Sequence, residues 1–182
     1  MLKKVSWLII LSLGLGALCL KAGGSYADAG KTAPTFLVES GDNRKLTLDM
    51  VRGRVIVLFY ESRHVIKKNS ELKDELTQLY RAQPAKTKKK ILRLVVIDCS
   101  EAIFPTLPIW KSKLKAHSQE EGFTIYGDWT RKMLADYRLK ADESNFLIID
   151  KQGVIRYSAT GKIANGHFDK IKKLLLTLAQ EG

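Results

Sequence analysis

The sequence predicts an α/β domain in which a central mixed sheet carries helices on both faces and ends in a β-hairpin followed by a helix. Three observations point there. Two apolar, β-branched runs, Val55–Tyr60 and Ile91–Asp98, have the length and composition of buried central strands. Between and after them lie charge-laced segments with helical spacing, so strands and helices alternate, the order of a layered α/β sheet. Near the end, Asn145–Asp150 and Val154–Ser158 flank the tight turn Lys151-Gln152-Gly153, the pattern of a hairpin.

The elements follow in order. Pro34 opens an extended segment, 35–39, and Gly41-Asp42-Asn43 is turn chemistry. Residues 45–48 alternate polar and apolar, and Arg52-Gly53-Arg54 turns the chain into the first central strand. A helix is expected over 65–83, where Leu72, Leu76, Leu79 and Tyr80 repeat at helical spacing and Pro84 supplies the stop. The lysine-rich stretch 86–90 reads as a loop. A helix over 108–118, a short strand over 123–126 and a helix over 129–138 capped by Asp128 come next. The last helix, 166–180, has a stripe of Phe168, Ile171, Leu174, Leu175 and Leu178.

The first 27 residues have a different character. Lys3 and Lys4 precede an apolar run from Val5 to Leu20, and Ser25 and Ala27 are the small residues a signal peptidase prefers. The segment 1–27 therefore reads as a signal peptide cut after Ala27, 28–33 as a flexible leader and 34–182 as the folded domain. An uncleaved membrane anchor and a lipid on Cys19 are the alternatives. The run is short for a spanning helix, and Leu18 stands where lipid attachment favours a smaller residue.

Among 182 residues the net charge is +12, and loss of the first 27, with three lysines and no acid, takes it to +9. Lysines cluster at 86–90 and 111–115. Such a surface favours anionic partners such as lipid head groups, polyanions or acidic proteins, or serves simply as a solvated face. No nucleic-acid-binding motif is present. Of the two cysteines, Cys19 and Cys99, only Cys99 lies beyond the signal segment, so no internal disulfide is available after cleavage. His64, His117 and His167 follow no metal-ligand spacing, and no metal or cofactor is expected. The sequence has no phosphate loop and no Gly-x-Ser-x-Gly elbow.

Ala33–Phe36, Leu46–Asp49, the Gly-basic turn into Val55–Tyr60, and Asn145–Ile155 together resemble the thioredoxin-like superfamily in its redoxin and TlpA-like branch. The resemblance spans about 33–180. Ser62–Asn69, Asp128-Trp129 and Ser144–Gly153 are most similar to the YtfJ-type periplasmic proteins, which implies an exported protein and names no substrate.

In an active relative, two cysteines two residues apart would follow the central strand, where a helix N-terminus lowers a thiol pKa. Here that pair falls on His64 and Lys67, neither able to perform thiol–disulfide exchange. The cis-proline that would face them is replaced by Asp142–Asn145, and a non-proline cis bond is costly enough that a trans peptide is expected.

The resemblance therefore implies an emptied redox site with a groove between Ser62, Arg63, His64 and Lys67 on one side and Glu143, Ser144 and Asn145 on the other. The expected function is a non-catalytic periplasmic module binding a protein, a peptide or a small anion, the partner acidic. Two alternatives stand beside it: a one-cysteine thiol peroxidase or redox protein using Cys99, or a His64-based activity; and a basic protein associating with anionic membrane. Cys99, following a buried strand, also has the ordinary reading of an inert buried thiol.

Overall fold

The computed structural model describes residues 29–181; the expected signal segment and Cys19 lie outside them. Seven strands form one sheet in the order β2-β1-β5-β4-β3-β6-β7. They are β1 (Leu37–Ser40), β2 (Lys45–Thr47), β3 (Val55–Glu61), β4 (Ile91–Asp98), β5 (Ile125–Asp128), β6 (Asn145–Ile149) and β7 (Ile155–Thr160). The helices are α1 (Ser70–Ala82), α2 (Ala85–Lys89), α3 (Leu107–Glu121), α4 (Lys132–Asp136) and α5 (Phe168–Gln180).

β3 lies in the sheet interior, parallel to β4 and antiparallel to β6, and all seven of its residues are buried, as a strand covered on both faces requires. On one face Ile56, Leu58 and Tyr60 pack with Leu94, Val96, Met133 and Tyr137 beneath α4. On the other, Val57 and Phe59 pack with Leu72 and Leu76 of α1 and Ile171 and Leu175 of α5. Leu114 of α3 covers Ile97, Cys99 and Ile125. Phe59 and Phe146 meet across the strand pair with ring centroids 4.7 Å apart. Burying one such ring contributes about 1.5–3 kcal/mol.

The hairpin turn after β6 is built by Asp150, whose Oδ1 accepts from the backbone N–H of Gln152 at 2.9 Å and of Val154 at 2.8 Å. Gly153 there has φ +82°, a left-handed conformation that glycine adopts without strain. Glycine is required for a different reason at Gly41, where an added Cβ would stand 2.2 Å from the Lys111 carbonyl oxygen of α3.

Four expectations are corrected. The helix after β3 begins at Ser70, not Val65, because residues 63–69 form successive turns whose side chains are drawn into other contacts. Residues 85–89 of the lysine stretch are a short helix rather than a loop. Asp128 does cap the helix that follows, but that helix is α4 and starts at Lys132, since Thr130 and Arg131 turn first. The expected leader is hydrogen-bonded to the hairpin: Gly30 donates to the Ile155 carbonyl at 2.7 Å, Ala33 to that of Gly153 at 2.8 Å, and Ile155 to that of Lys31 at 2.9 Å.

Candidate functional site

The C-terminal ends of the parallel strands β3 and β4 point to one pole of the sheet, where Ser62–Asn69 crosses toward α1. This pole is where the resemblance places a redox pair. Its centre is a buried polar cluster. Glu61, the last residue of β3, has no exposed surface. Its Oε2 meets the Lys73 ammonium at 2.6 Å, and its Oε1 accepts from the Ser144 hydroxyl at 2.7 Å. Asn69 donates through Nδ2 to Ser144 Oγ and to the Gly161 carbonyl, both at 2.9 Å, and accepts from the Ile163 N–H at 2.9 Å. Lys73 also donates to the Ile66 carbonyl at 2.6 Å, which holds the turn segment against α1. A buried carboxylate is tolerated only when it is paired and its remaining lone pairs are satisfied, and these contacts do that while the Lys73 ammonium keeps some solvent exposure.

The expected groove is consequently altered. Ser144 and Asn145 are buried and committed inward. Asn145 bonds both backbone groups of Lys140, at 2.9 Å through Nδ2 and 3.0 Å through Oδ1, and accepts from Thr160 Oγ1 at 3.1 Å. Glu143 is ion-paired with Lys68, which ties one expected wall directly to the other. Charge pairing and side-chain amide bonding thus close the space between 62–69 and 143–145. The peptide bonds through 142–145 are trans, as the missing proline implies.

What stays open lies on the other side of the turn segment. Arg63 and His64 are exposed, and Arg63 Nε donates to His64 Nε2 at 3.1 Å. The Arg63 guanidinium also lies 5.2 Å from the Trp110 ring and 3.5 Å from the Glu101 carboxylate. Lys67 is exposed and has no ion pair among the described residues. Beyond Glu101, the loop into α3 presents Ile103 at 69% and Phe104 at 87% exposure, and the first turn of α3 presents Ile109 at 57%, all apolar side chains facing solvent. Ser62 itself is buried, and its Oγ has no hydrogen-bond partner among the described residues.

Cys99 stands beside this pole without opening onto it. It is 1% exposed and packed among Ile97, Leu114 and Ile125, and its sulfur lies 3.0 Å from where a Cβ on Gly127 would be. Burial, reinforced by Asp98 and Asp128, pushes the thiol up to about 12. That is the opposite of the lowered pKa that makes a cysteine reactive. On the reverse face Tyr60 donates to Asp128 Oδ2 at 3.2 Å, the same oxygen that caps α4 through the Met133 N–H at 2.9 Å. Among the described residues no group of three or more His, Cys, Asp or Glu side chains is placed to hold a metal ion.

Glu61, Asn69 and Lys73 were missed by the sequence reading. The signal that would have found Glu61 was an acid closing an otherwise apolar central strand, which demands a buried counter-charge.

No family model matches the sequence, and no curated protein matches it. Solved structures match its fold. A candidate thiol:disulfide interchange protein DsbE from Chlorobium tepidum has a TM-score of 0.62 at 17% identity, covering 84% of this chain and 98% of that one. The exposed lipoprotein thioredoxin of Streptococcus pneumoniae gives 0.55 at 18%, covering 80% and 100%. A thiol peroxidase from Chromobacterium violaceum gives 0.57 at 15%, covering 85% and 89%. At these identities the likeness is one of fold, and the chain has a thioredoxin-like fold.

Proposed function

We propose that this protein is a non-catalytic binding module that uses the redox pole of a thioredoxin-like fold to hold an acidic, partly apolar polypeptide segment. What supports this reading is that His64 and Lys67 stand at the positions where the resemblance expects a redox pair, next to a buried Glu61 carboxylate paired with Lys73. A pole so occupied offers no thiolate to attack a disulfide. The binding surface runs from Arg63, His64 and Lys67 to Ile103, Phe104 and Ile109, so it pairs cations with exposed apolar side chains. Such a surface suits a segment with acidic and aromatic or aliphatic residues. The inaccessible, strongly protonated Cys99 weighs against the one-cysteine redox alternative.

Two further parts of the reading rest on the sequence. Residues 1–27 have signal-peptide character, which supports export to a periplasm, and the streptococcal neighbour is itself described as an exposed lipoprotein. The YtfJ-type resemblance supports the same compartment.

Chemical-shift mapping with an extended peptide alternating glutamate and phenylalanine tests the binding surface. Perturbations confined to 62–69 and 101–110, and lost in Arg63→Glu/Lys67→Glu, support the reading. A map centred elsewhere contradicts it.

A further inference from the structure

The opposite pole of the sheet, where β3 and β4 begin, carries a second concave surface with a different chemistry. Between Glu75 and Asp98 the chain has no acid but contains Arg81, Lys86, Lys88, Lys89, Lys90 and Arg93. The Val55 N–H donates to the Lys90 carbonyl at 2.8 Å, which brings Arg54 beside the end of α2. Here Arg54, Lys88, Lys89 and Arg93 line a cavity of about 410 Å³, together with Tyr80 and Phe123, and no carboxylate lines it.

One of the four cations, Arg93, is held in place by its neighbours. Arg93, the third residue of β4, donates through Nη1 to Thr77 Oγ1 at 3.2 Å. Its guanidinium lies 4.8 Å from the Tyr80 ring and 5.0 Å from the Phe123 ring, so two aromatic rings and a hydroxyl fix it while its remaining N–H groups stay available. Lys88 Nζ stands 6.0 Å from the same Tyr80 ring. None of the four cations has a carboxylate partner among the described residues, whereas Lys68, Lys73, Lys111, Lys132 and Lys172 all do. Close to this cluster the Lys151 ammonium is pushed below its ordinary range by burial and by Lys90. Unpaired like charges around a concavity raise a local positive potential that a compact anion would neutralise.

We propose that this cavity is a binding site for phosphoryl groups, taking a pair of adjacent phosphates between Arg93 and the Lys88–Lys89 ammonium groups. A planar guanidinium presents parallel N–H donors to phosphate oxygens, and flanking lysines add point charge. The site is independent of the polypeptide surface at the other pole. The same chemistry is offered by a soluble polyphosphate or phosphate ester and by a phospholipid head group.

Calorimetric titration of the purified protein with tripolyphosphate is the test. The expected result is saturable one-to-one binding, weakened about tenfold or more by Lys88→Ala/Lys89→Ala, and by less than about twofold in Lys45→Ala/Lys113→Ala, which removes equal charge from exposed positions elsewhere. Arg93→Gln should weaken it as well, and the lysine pair carries the test if that variant does not fold. Co-sedimentation with vesicles of equal parts phosphatidylglycerol and phosphatidylcholine separates the sources. Vesicle binding displaced by tripolyphosphate assigns a lipid head group, and tripolyphosphate binding without vesicle binding assigns a soluble phosphate; both uphold the site. Absence of saturable binding, equal weakening in the two double variants, or polyglutamate binding as tightly as tripolyphosphate would overturn it.

Discussion

Glu61 ends the central strand with no exposed surface, and its carboxylate lies 2.6 Å from the Lys73 ammonium reaching down from α1. The same carboxylate accepts from the Ser144 hydroxyl, which in turn accepts from the Asn69 amide. Lys73→Met leaves that carboxylate buried without its counter-charge and should destabilise the fold by about 3–5 kcal/mol. Urea unfolding monitored by circular dichroism measures it. Glu61→Gln/Lys73→Met should recover part of the loss, since the amide oxygen still accepts from Ser144.

The Lys68–Glu143 pair closes the gap between the turn segment and the β6 approach. The Lys68 hydrogen bond, with its charge adding to it, holds the Glu143 carboxyl below the ordinary carboxylate range. A carboxylate depressed in the folded state stabilises above the unfolded value of roughly 4.3 and loses that contribution as pH falls through the folded pKa. Wild type should therefore lose more stability than Glu143→Gln between neutral pH and about pH 3. Urea midpoints across that range show the difference, and equal slopes would remove the pair from the account.

Asp128 joins three elements. Its Oδ2 accepts from Tyr60 on β3 and from Met133 and Leu134 at the start of α4, while its Oδ1 accepts from Thr130. Asp128→Ala strands a buried phenol and uncaps α4, and should cost roughly 3 kcal/mol. Asp128→Asn, which keeps an acceptor, should cost about 1 kcal/mol. Thermal unfolding of the two variants ranks them.

Cys99 should resist modification. With its thiol pushed to about 12 and 1% exposure, an aromatic disulfide reagent at pH 8 should label it only through opening of the fold. The labelling rate should then rise with urea. Rapid native labelling would mean an accessible thiol and would revive the one-cysteine redox reading.

Much of the architecture is legible in the sequence because it follows from backbone-level signals. Val55–Tyr60 and Ile91–Asp98 are too apolar and β-branched to sit anywhere but the sheet centre, and Asp150 with Gly153 writes its own turn. The expected helix start at Val65 fails because Lys73 bonds the Ile66 carbonyl seven residues back and Asn69 bonds Gly161 and Ile163, contacts more than ninety residues distant that no local pattern announces. The site divides in the same way. That Arg63, His64 and Lys67 follow the central strand is a matter of counting. That Ser144 and Asn145 turn inward depends on Glu61, Lys140 and Thr160, which only the folded chain brings to them. The openness of the neighbouring surface rests on Ile103 and Phe104, whose exposure contradicts their composition.

Turnover by the purified protein of insulin disulfides and of hydrogen peroxide, beside a Cys99→Ala variant, decides whether the protein carries thiol chemistry. A pole that works without thiol chemistry predicts rates indistinguishable from buffer for both proteins and both substrates. Turnover in the wild type that vanishes in Cys99→Ala would contradict it and make the buried thiol the reacting group.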